Sequence, residues 1–537
     1  MRLREEVSSD KLRGGFYTPE PLVRFCWTRI DVLTQGSGKR SLTVLEPSAG
    51  SGNFFRFLDG HKVQERISSV HAIELLGEES AKCKQTLRDF TFDSEVINGS
   101  ILNGSRPKGI EFDVAVGNPP YLRYQFIDEN DLNGINELAS EMNVHLKGVS
   151  NLWIPVLLAA LKSLREGGAF AFVIPTEFLT GISARDFREW VVENISDLQL
   201  DFFPPSSFPG VLQEVLVFSG TKEKPKFNSN IQLIDNGSKK KWKHKLELGH
   251  HTWTHLYLPP DIWKSVEEAK QLGFTPLINV AKLSVSTVTG ANQYFCVDDE
   301  TVEEYSLHAW AKPLLPKSRF VSGLVSNSAT DMNLMKEKAP RWLLDFSINN
   351  VNPNSHSGMR KYLELGEKLQ LHKRYKTRIR NSWYQVPVIA PGKLLLSKRS
   401  HYFPRLILNQ FGHHTTDTIY AGSTLDGKES TAKSLVGTFH NSLTLLTSEL
   451  EGRSFGGGVL ELVPSEVARL VVPNVKISAN EFNEMNKISI NSHDSGELLI
   501  SETNALIASK HPDISLSFFD SLESARVLLL SRRIERI

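Results

Sequence analysis

The stretch that decides the fold is Asp113 to Tyr121, which reads Asp-Val-Ala-Val-Gly-Asn-Pro-Pro-Tyr. The apolar run after Asp113 is typical of a buried strand in a parallel sheet. The strand must end at Gly117, because Pro119 and Pro120 lack a backbone N–H and restrict the residues before them. In open α/β sheets, ligands bind at the carboxyl ends of the strands. We therefore expect a stiff turn at the ligand-binding edge of an α/β sheet.

The residues of this turn suit a planar nitrogen substrate. The side-chain oxygen of Asn118 and the backbone carbonyl of Pro119 can each accept one hydrogen from an –NH2 group, and Tyr121 can lie against the ring that carries it. Two accepted hydrogen bonds draw the nitrogen lone pair out of conjugation, so that the nitrogen attacks a methyl donor without a strong base. The alternative is a proline-rich turn with a packed tyrosine, and the neighbouring segments decide between the two.

Size and composition indicate a globular protein of more than one domain. The 537 residues exceed one ordinary core, and the hydrophobic content of 40% and charged content of 23% are those of soluble globular proteins. Three widely spaced cysteines (Cys26, Cys83 and Cys296) predict neither a disulfide framework nor a zinc site, so no metal is expected. No segment is apolar over the length of a membrane span, and we expect a cytoplasmic protein.

Charge is distributed unevenly along the chain. Acidic residues outnumber basic ones in residues 1–220, whereas basic residues outnumber acidic ones in the remainder. This asymmetry favours a polyanionic partner for the second part of the chain, although solubility alone is an alternative explanation.

Three segments before the turn have the pattern of a nucleotide-binding domain. Residues 14–21 form a glycine-rich loop leading into a helix, for which Thr18 is the predicted N-cap. Residues 46–53, Glu-Pro-Ser-Ala-Gly-Ser-Gly-Asn, form a loop of small residues between a strand and a helix, which lets a ligand approach the backbone. Glu74 ends the next predicted strand, where a carboxylate can accept both hydroxyls of a ribose.

The segments Phe16-Tyr17-Thr18-Pro19, Leu45 to Asn53 and Asn118 to Tyr121 resemble, in content and order, the gamma-class adenine-N6 DNA methyltransferases of type II restriction-modification systems. The resemblance covers about residues 14–218. It implies an α/β fold with the Rossmann-like, mixed but mostly parallel sheet of S-adenosylmethionine (SAM)-dependent methyltransferases, followed by a C-terminal α+β target-recognition domain. We expect the catalytic domain at residues 1–235 and the recognition domain at residues 236–537.

The resemblance also implies roles for individual residues. The catalytic turn is Asn118, Pro119, Pro120 and Tyr121. Ser100 stands where the family usually has an aspartate that bonds the cofactor adenine, and a hydroxyl can still make that bond. Tyr121 and Phe208 are the candidates for stacking on the target base, with Phe203 as the alternative to Phe208. The residues expected to hold SAM are Tyr17, Thr18, Glu46, Ser48, Gly50, Gly52, Asn53, Glu74, Ser100 and Asn118.

Basic and aromatic segments after residue 221 are candidates for DNA contact. Residues 239–245 form a basic run in an apparent connecting segment, and residues 375–384 interleave basic with aromatic side chains. Residues 284–295 predict a β-hairpin that resembles the opening of the recognition region in this family. Internal packing of an α/β domain is the alternative for each segment. The residues expected at the DNA are Lys241, Lys243, Arg378, Arg380, Trp383 and Arg453.

The leading hypothesis is a site-specific methyltransferase that transfers a methyl group from SAM to N6 of a flipped-out adenine in double-stranded DNA. Methylation would protect the site from a cognate restriction endonuclease, which shares the site without being bound, and we expect a monomer. Extruding the base costs a few kcal/mol, which stacking worth roughly 1–3 kcal/mol per aromatic contact can offset. Alternatives are a protein-glutamine methyltransferase, which also carries Asn-Pro-Pro-Tyr, an RNA-base methyltransferase, and a non-catalytic DNA-binding specificity protein, which only Ser100 favours.

Overall fold

The computed structural model describes residues 17–35, 39, 41–107, 109–122, 127–146, 151–204, 214–225, 230–249, 252–348, 352, 355–455, 457–492 and 495–534. The chain divides into two compact units, Met1–Pro260 and Asp261–Ile537. The expected division between residues 235 and 236 falls inside the first unit. The two strands on either side of that point pair with each other, so the first unit continues to residue 260.

A mixed sheet forms the centre of the first unit. Its strands are β1 Leu42–Glu46, β2 Ile67–Glu74, β3 Asp93–Asn98, β4 Phe112–Gly117, β5 Leu164–Pro175, β6 Ile195–Phe202, β7 Val215–Lys222, β8 Asn230–Asp235 and β9 Lys240–Lys245. The nine strands lie in the order β3-β2-β1-β4-β5-β7-β6-β8-β9. The first five in this order are parallel, and β7 runs antiparallel to both of its neighbours. The predicted mixed, mostly parallel α/β sheet is therefore confirmed.

Helices in the first unit bury both faces of this sheet. They are α1 Glu20–Thr34, α2 Asn53–Arg56, α3 Gly77–Leu87, α4 Glu129–Met142, α5 Trp153–Ser163, α6 Glu177–Thr180 and α7 Arg185–Asn194. Every residue of β4 is buried, with Ala115 in one hydrophobic cluster and Val114 and Val116 in another. Burial on both faces explains why β4 reads as a continuous apolar run. None of the helices that the structure describes is long and apolar enough to cross a membrane.

Two local predictions in the first unit are wrong. Thr18 is not the N-cap, because α1 begins at Glu20 with Pro19 before it. The basic run is not a connecting segment, because Lys240–Lys245 forms the edge strand β9. Its Trp242 and His244 are more buried than the lysines between them, which is the period of two expected of a strand.

The second unit is a mixed α+β structure. Its strands are β10 Phe274–Pro276, β11 Ala281–Val285, β12 Cys296–Val297, β13 Ala311–Pro313, β14 Val325–Ser326, β15 Trp342–Leu344, β16 Leu394–Ser397, β17 Arg399–Ser400, β18 Leu406–Asn409, β19 Ile419–Thr424, β20 Arg453–Phe455, β21 Val459–Glu461 and β22 Val471–Pro473. They form a five-stranded sheet in the order β11-β19-β16-β18-β14 and the smaller sheets β12-β15-β13, β17-β21-β20 and β10-β22.

The second unit contains helices both before and after β19, the last strand of its five-stranded sheet in the sequence. They are α8 Pro260–Glu268, α9 Asn292–Phe295, α10 Asp299–Glu304, α11 Ser328–Lys336, α12 Ser357–Lys368, α13 Tyr375–Arg378, α14 Glu429–Thr438, α15 Ser442–Glu451, α16 Pro464–Val467, α17 Ala479–Asn491, α18 Glu497–Lys510 and α19 Leu516–Ile534. The hairpin predicted at residues 284–295 is wrong. β11 pairs with β19 instead, and the turn at Gly290, with a φ of +76°, leads into α9.

A buried carboxylate fixes the amino end of β4. Asp113 accepts hydrogen bonds from Nζ of Lys39 at 2.7 Å, from the backbone N–H of Thr43 at 3.0 Å, and from Nε of Arg165. Burial alone would raise the pKa of Asp113, but the bonds from Lys39 and Arg165 outweigh it and hold the pKa below its usual value. This end of the strand therefore depends on an ionised carboxylate.

We predict that Asp113→Asn lowers the free energy of unfolding at pH 7 by on the order of 1–3 kcal/mol, because both cations lose their counter-charge. The folded-state pKa is depressed, so the stability that ionisation provides is present above the unfolded-state pKa near ~4 and is lost as the pH falls. Urea denaturation at pH 7 and about pH 3 measures the difference, with Asp59→Asn at an exposed carboxylate as the control. An equal loss at both pH values would contradict the prediction.

Candidate active site

Asn118 follows β4 directly and is held by two side-chain hydrogen bonds. Its Nδ2 donates to Oγ1 of Thr18 at 3.1 Å, and its Oδ1 accepts from the hydroxyl of Tyr121 at 2.8 Å. The Tyr121 hydroxyl is also 3.3 Å from the carbonyl oxygen of Val173. Burial raises the pKa of Tyr121, so its hydroxyl stays protonated and remains a donor. The amide is therefore fixed with its oxygen toward Tyr121 and its nitrogen toward Thr18.

This orientation leaves two acceptors at the end of β4. A carbonyl oxygen has two lone pairs, and Tyr121 uses one of those on Oδ1 of Asn118. The carbonyl of Pro119 receives no hydrogen bond from any residue that the structure describes. The backbone carbonyl of Asn118 is used differently, since it accepts a bond from Oγ of Ser48 at 3.3 Å. That bond joins the turn to the small-residue loop.

The small-residue loop is clamped onto the carboxyl end of β2. The backbone N–H of Ala49 donates to the carbonyl of Ile73 at 2.9 Å. The N–H of Gly50 donates to Oε2 of Glu74 at 2.8 Å, and the N–H of Leu76 donates to Oε1 of the same side chain at 2.8 Å. Each oxygen of Glu74 thus keeps a further lone pair, which is compatible with the predicted contact to ribose hydroxyls.

Gly52 is required by both the backbone and the packing of this loop. Its φ is +84°, a conformation that favours glycine. A Cβ atom at this position would lie 3.2 Å from Sγ of Cys83 and 3.2 Å from Cβ of Thr86 on α3. The loop therefore passes close to α3 only because residue 52 has no side chain.

Glu46 places a second carboxylate at the same edge. It is 1% exposed, and its Oε2 has no hydrogen-bond partner among the described residues. Burial and, to a lesser extent, the charge of Glu74 raise its pKa well above the usual value. A buried carboxylate without a partner favours a cationic ligand. The ammonium group of SAM would be a suitable donor to this carboxylate oxygen.

The structure adds Asp131, which sequence reasoning missed. This residue of α4 is 4% exposed, hydrogen-bonds to Ser100, and has no partner for its Oδ1 among the described residues. Burial raises the pKa of its carboxyl group. α4 can lie this close to Leu102 only because residue 134 is a glycine, since a Cβ atom there would be 1.5 Å from the carbonyl oxygen of Leu102. An aspartate in the first turn of a helix is common, so no sequence pattern could have identified Asp131 as a site residue.

Tyr17 and Asn53 lie beside a neighbouring cavity. The hydroxyl of Tyr17 donates to Oε2 of Glu79 at 2.9 Å, and Oδ1 of Asn53 accepts from Oγ of Ser51 at 3.3 Å. The cavity has a volume of about 670 Å³ and does not include the Asn-Pro-Pro-Tyr turn. The hydrogen bonds at the strand ends, rather than this cavity, therefore define the candidate site. The cavity is lined by Tyr17, Ser51, Asn53, Arg56, Lys82, Gln85, Thr86, Asp89 and Phe90.

The two aromatic alternatives for the second stacking partner differ. Phe208 lies outside the described residues. Phe203 packs edge-on against Phe25 of α1, with ring centroids 5.2 Å apart. Tyr121 is partly buried, and its ring packs against both hydrophobic clusters of the sheet.

The candidate DNA contacts fall into two groups. Lys241, Lys243 and Arg378 are exposed. Nη2 of Arg380 instead donates to the carbonyls of Val288 at 3.0 Å and Thr289 at 2.8 Å, so this guanidinium holds a loop. Trp383 packs against Tyr294, with ring centroids 5.6 Å apart, and Nε of Arg453 donates to the buried Glu466 at 2.8 Å.

Two known family descriptions match successive parts of the chain. Residues 56–207 match the Eco57I restriction-modification methylase family. Residues 250–506 match the C-terminal domain of the type II methyltransferase M.Eco57I.

Curated proteins are similar to the chain in sequence, and a solved structure is similar to it in fold. The chain is 24% identical over 389 residues to the type II methyltransferase M.AccI of Acinetobacter calcoaceticus, which covers 69% of each protein. It is 25% identical over 252 residues to M.HincII of Haemophilus influenzae, covering 47% of this chain and 45% of that protein. The fold is similar to that of the type IIL restriction-modification enzyme MmeI in complex with DNA, with a TM-score of 0.57 and 12% identity over 99% of this chain and 78% of MmeI.

We predict that Glu46→Gln makes the unliganded protein more stable at high pH. The folded state raises the pKa of Glu46, so its contribution to stability is fully present below the unfolded-state value near ~4.3 and declines as the pH rises. The variant should gain on the order of 1–2 kcal/mol relative to the wild type between about pH 5 and pH 8. Urea unfolding at both pH values measures this gain, with the exposed Glu78→Gln as the control. A pH-independent difference would argue against a buried, unpaired carboxylate.

Proposed function

We propose that this chain, a homologue of the type II restriction-modification methyltransferases, transfers a methyl group from SAM to N6 of an adenine flipped out of double-stranded DNA at a specific site. The observation that carries the proposal is the amide of Asn118, held between Thr18 and Tyr121 at the ligand-binding edge of the sheet. Its oxygen and the Pro119 carbonyl are two acceptors for the two hydrogens of one amino group.

The residues of the small-residue loop and the neighbouring strand ends fit SAM. Glu46 would accept its ammonium group, Glu74 its ribose hydroxyls, and Ser100 together with Asp131 its adenine amino group. Gly50 and Gly52 keep the loop backbone open to the ligand. When bound, SAM supplies an electrophilic methyl group on a sulfonium.

The turn prepares the nucleophile. Asn118 and Pro119 each accept one N–H of the target amino group, which localises the nitrogen lone pair and directs it at the methyl group. With SAM bound, N6 would form a bond to the methyl carbon as the carbon–sulfur bond breaks, and N6 would then release one proton to water. Tyr121, with Phe208 or Phe203, would hold the extruded ring by stacking. Positioning supplies most of the rate enhancement.

The second unit is the proposed target-recognition domain. The exposed Lys241 and Lys243 of the first unit and Arg378 of the second remain candidates for phosphate or base contact. Arg453 keeps a half-exposed side chain beside Glu466 and stays a candidate. We further propose that the protein acts as a monomer and that methylation blocks cleavage by a cognate endonuclease that does not bind it.

Substitutions in the turn separate positioning from stacking. Asn118→Ala should lower the methylation rate by roughly 100-fold or more while SAM and DNA still bind. Tyr121→Phe keeps the ring but removes the hydroxyl that orients the amide, so we expect roughly a 5- to 10-fold lower rate. Single-turnover methylation and calorimetric SAM titration measure both effects. Full activity of Asn118→Ala would remove the role assigned to this residue, and full activity of Tyr121→Phe would leave Tyr121 a stacking role alone.

Substitution of Asp131 tests the adenine contact. Asp131→Asn should weaken SAM binding by roughly 5- to 10-fold, because an ionised acceptor for the adenine amino group is lost. The folded protein should remain at least as stable as the wild type, since the buried carboxylate has an oxygen without a partner. A SAM analogue with hypoxanthine in place of adenine lacks that amino group, so Asp131→Asn should bind this analogue as tightly as the wild type does. Equal weakening for both ligands would show that Asp131 does not contact the adenine.

A further inference from the structure

An exposed apolar pair stands out on the second unit. Tyr375, the first residue of α13, is 69% exposed, and Ile379, the residue after this helix, is 66% exposed. Four residues apart across one helical turn, they lie on the same side of the helix. Exposed apolar side chains that lie together mark binding surfaces more often than single ones do.

The backbone beneath this pair is firmly held. Thr377 is fully buried, and its hydroxyl bonds to the backbone carbonyls of Leu371 and Arg374. Arg380 clasps the loop that precedes Gly290 through its two bonds to backbone carbonyls. A Cβ atom on Gly290 would lie 2.9 Å from Cβ of Lys376, so the two segments are in close contact. The apolar pair is thus displayed from a rigid base.

Four cationic side chains are next to the pair in the sequence. Lys373, Arg374, Lys376 and Arg378 are all exposed, and none of them forms an ion pair with an acidic side chain in the part of the chain that the structure describes. An exposed apolar pair with unpaired positive charges beside it in the sequence is complementary to a ligand whose surface is anionic and whose interior is apolar. Duplex DNA has this arrangement, with phosphates outside and stacked bases inside.

We propose that Tyr375 and Ile379 form a wedge that inserts between base pairs of the bound duplex, while the four cations hold the flanking phosphates. This inference rests on the proposed function, because it takes DNA as the substrate. Insertion of apolar side chains unstacks a base step and kinks the duplex. Tyr375 supplies the aromatic face and Ile379 supports it.

Measurements of DNA affinity and of its salt dependence distinguish the contribution of the wedge from that of the phosphate contacts. The full-length Tyr375→Ala/Ile379→Ala variant should bind a duplex that contains the enzyme's target motif at least roughly tenfold more weakly. This is the effect expected from the loss of one aromatic–base stacking contact. The dependence of affinity on salt should not change, because no phosphate contact is lost. In contrast, Arg374→Gln/Arg378→Gln should flatten the salt dependence by about two counterions. Fluorescence anisotropy at several salt concentrations measures both variants.

A base analogue reports insertion directly. 2-Aminopurine placed at successive positions of that duplex should brighten at one step with the wild-type protein and stay quenched with the wedge variant. Tyr375→Phe should restore the signal. The matched control is Met332→Ala/Met335→Ala, an exposed apolar pair on α11 of the same unit, which should change neither affinity nor fluorescence.

The outcomes distinguish this inference from the proposed function. If the wild type fails to bind or methylate duplex DNA, the proposed function itself is wrong. If the wild type methylates DNA and the wedge variant binds with wild-type affinity and brightening, only the wedge is overturned. Heparin, a polyanion without bases, should bind the wedge variant as well as the wild type, and an equal loss for heparin and DNA would also overturn base insertion.

Discussion

The two prolines that follow β4 impose the constraint on which the candidate site depends. Because Pro119 and Pro120 have no backbone N–H to donate to a neighbouring strand, the chain leaves the sheet at Asn118. The orientation of the Asn118 side-chain amide therefore depends on its own hydrogen bonds. Side chains provide the restraint instead, with Thr18 from the segment before α1 on one side and Tyr121 on the other. Ser48 adds a bond from the small-residue loop, so two segments that are remote in sequence converge on the turn. The amide thus presents its oxygen in a single orientation before any substrate arrives.

Two buried carboxyl groups with raised pKa values lie beside the same edge. Glu46 and Asp131 are both buried, and each has one carboxyl oxygen without a hydrogen-bond partner among the described residues. Burial raises the pKa of both groups, so the ionised form of each is unfavourable in the unliganded fold. Their presence is understandable if a ligand with a cationic group and an amino group completes the site. At the opposite end of β4, by contrast, Asp113 accepts hydrogen bonds from Lys39, Thr43 and Arg165.

Much of the first unit follows from local sequence. The strands that became β1, β2 and β4 were predictable because their apolar runs end at small residues, glutamate or proline. Thr18 was predicted as an N-cap, but it instead accepts a hydrogen bond from Asn118 that spans 100 residues and that no local pattern encodes. β9 was missed because its lysines obscured the period of two. In the second unit, residues 375–384 showed basic and aromatic side chains without revealing which face each occupies. Tyr375 of α13 is exposed, whereas Arg380, just after this helix, donates to a backbone carbonyl of another segment. Only tertiary packing determines this difference.

Single-molecule sequencing of genomic DNA from a methylation-free host that expresses the chain would test most directly whether the Asn118 turn supports methylation of adenine in DNA. We expect N6-methyladenine at nearly every copy of one short motif and unmodified adenine elsewhere. That result would establish the reaction, the substrate and the recognition site together. An unmodified genome, with the protein folded and binding SAM, would contradict the account and favour a protein or RNA substrate.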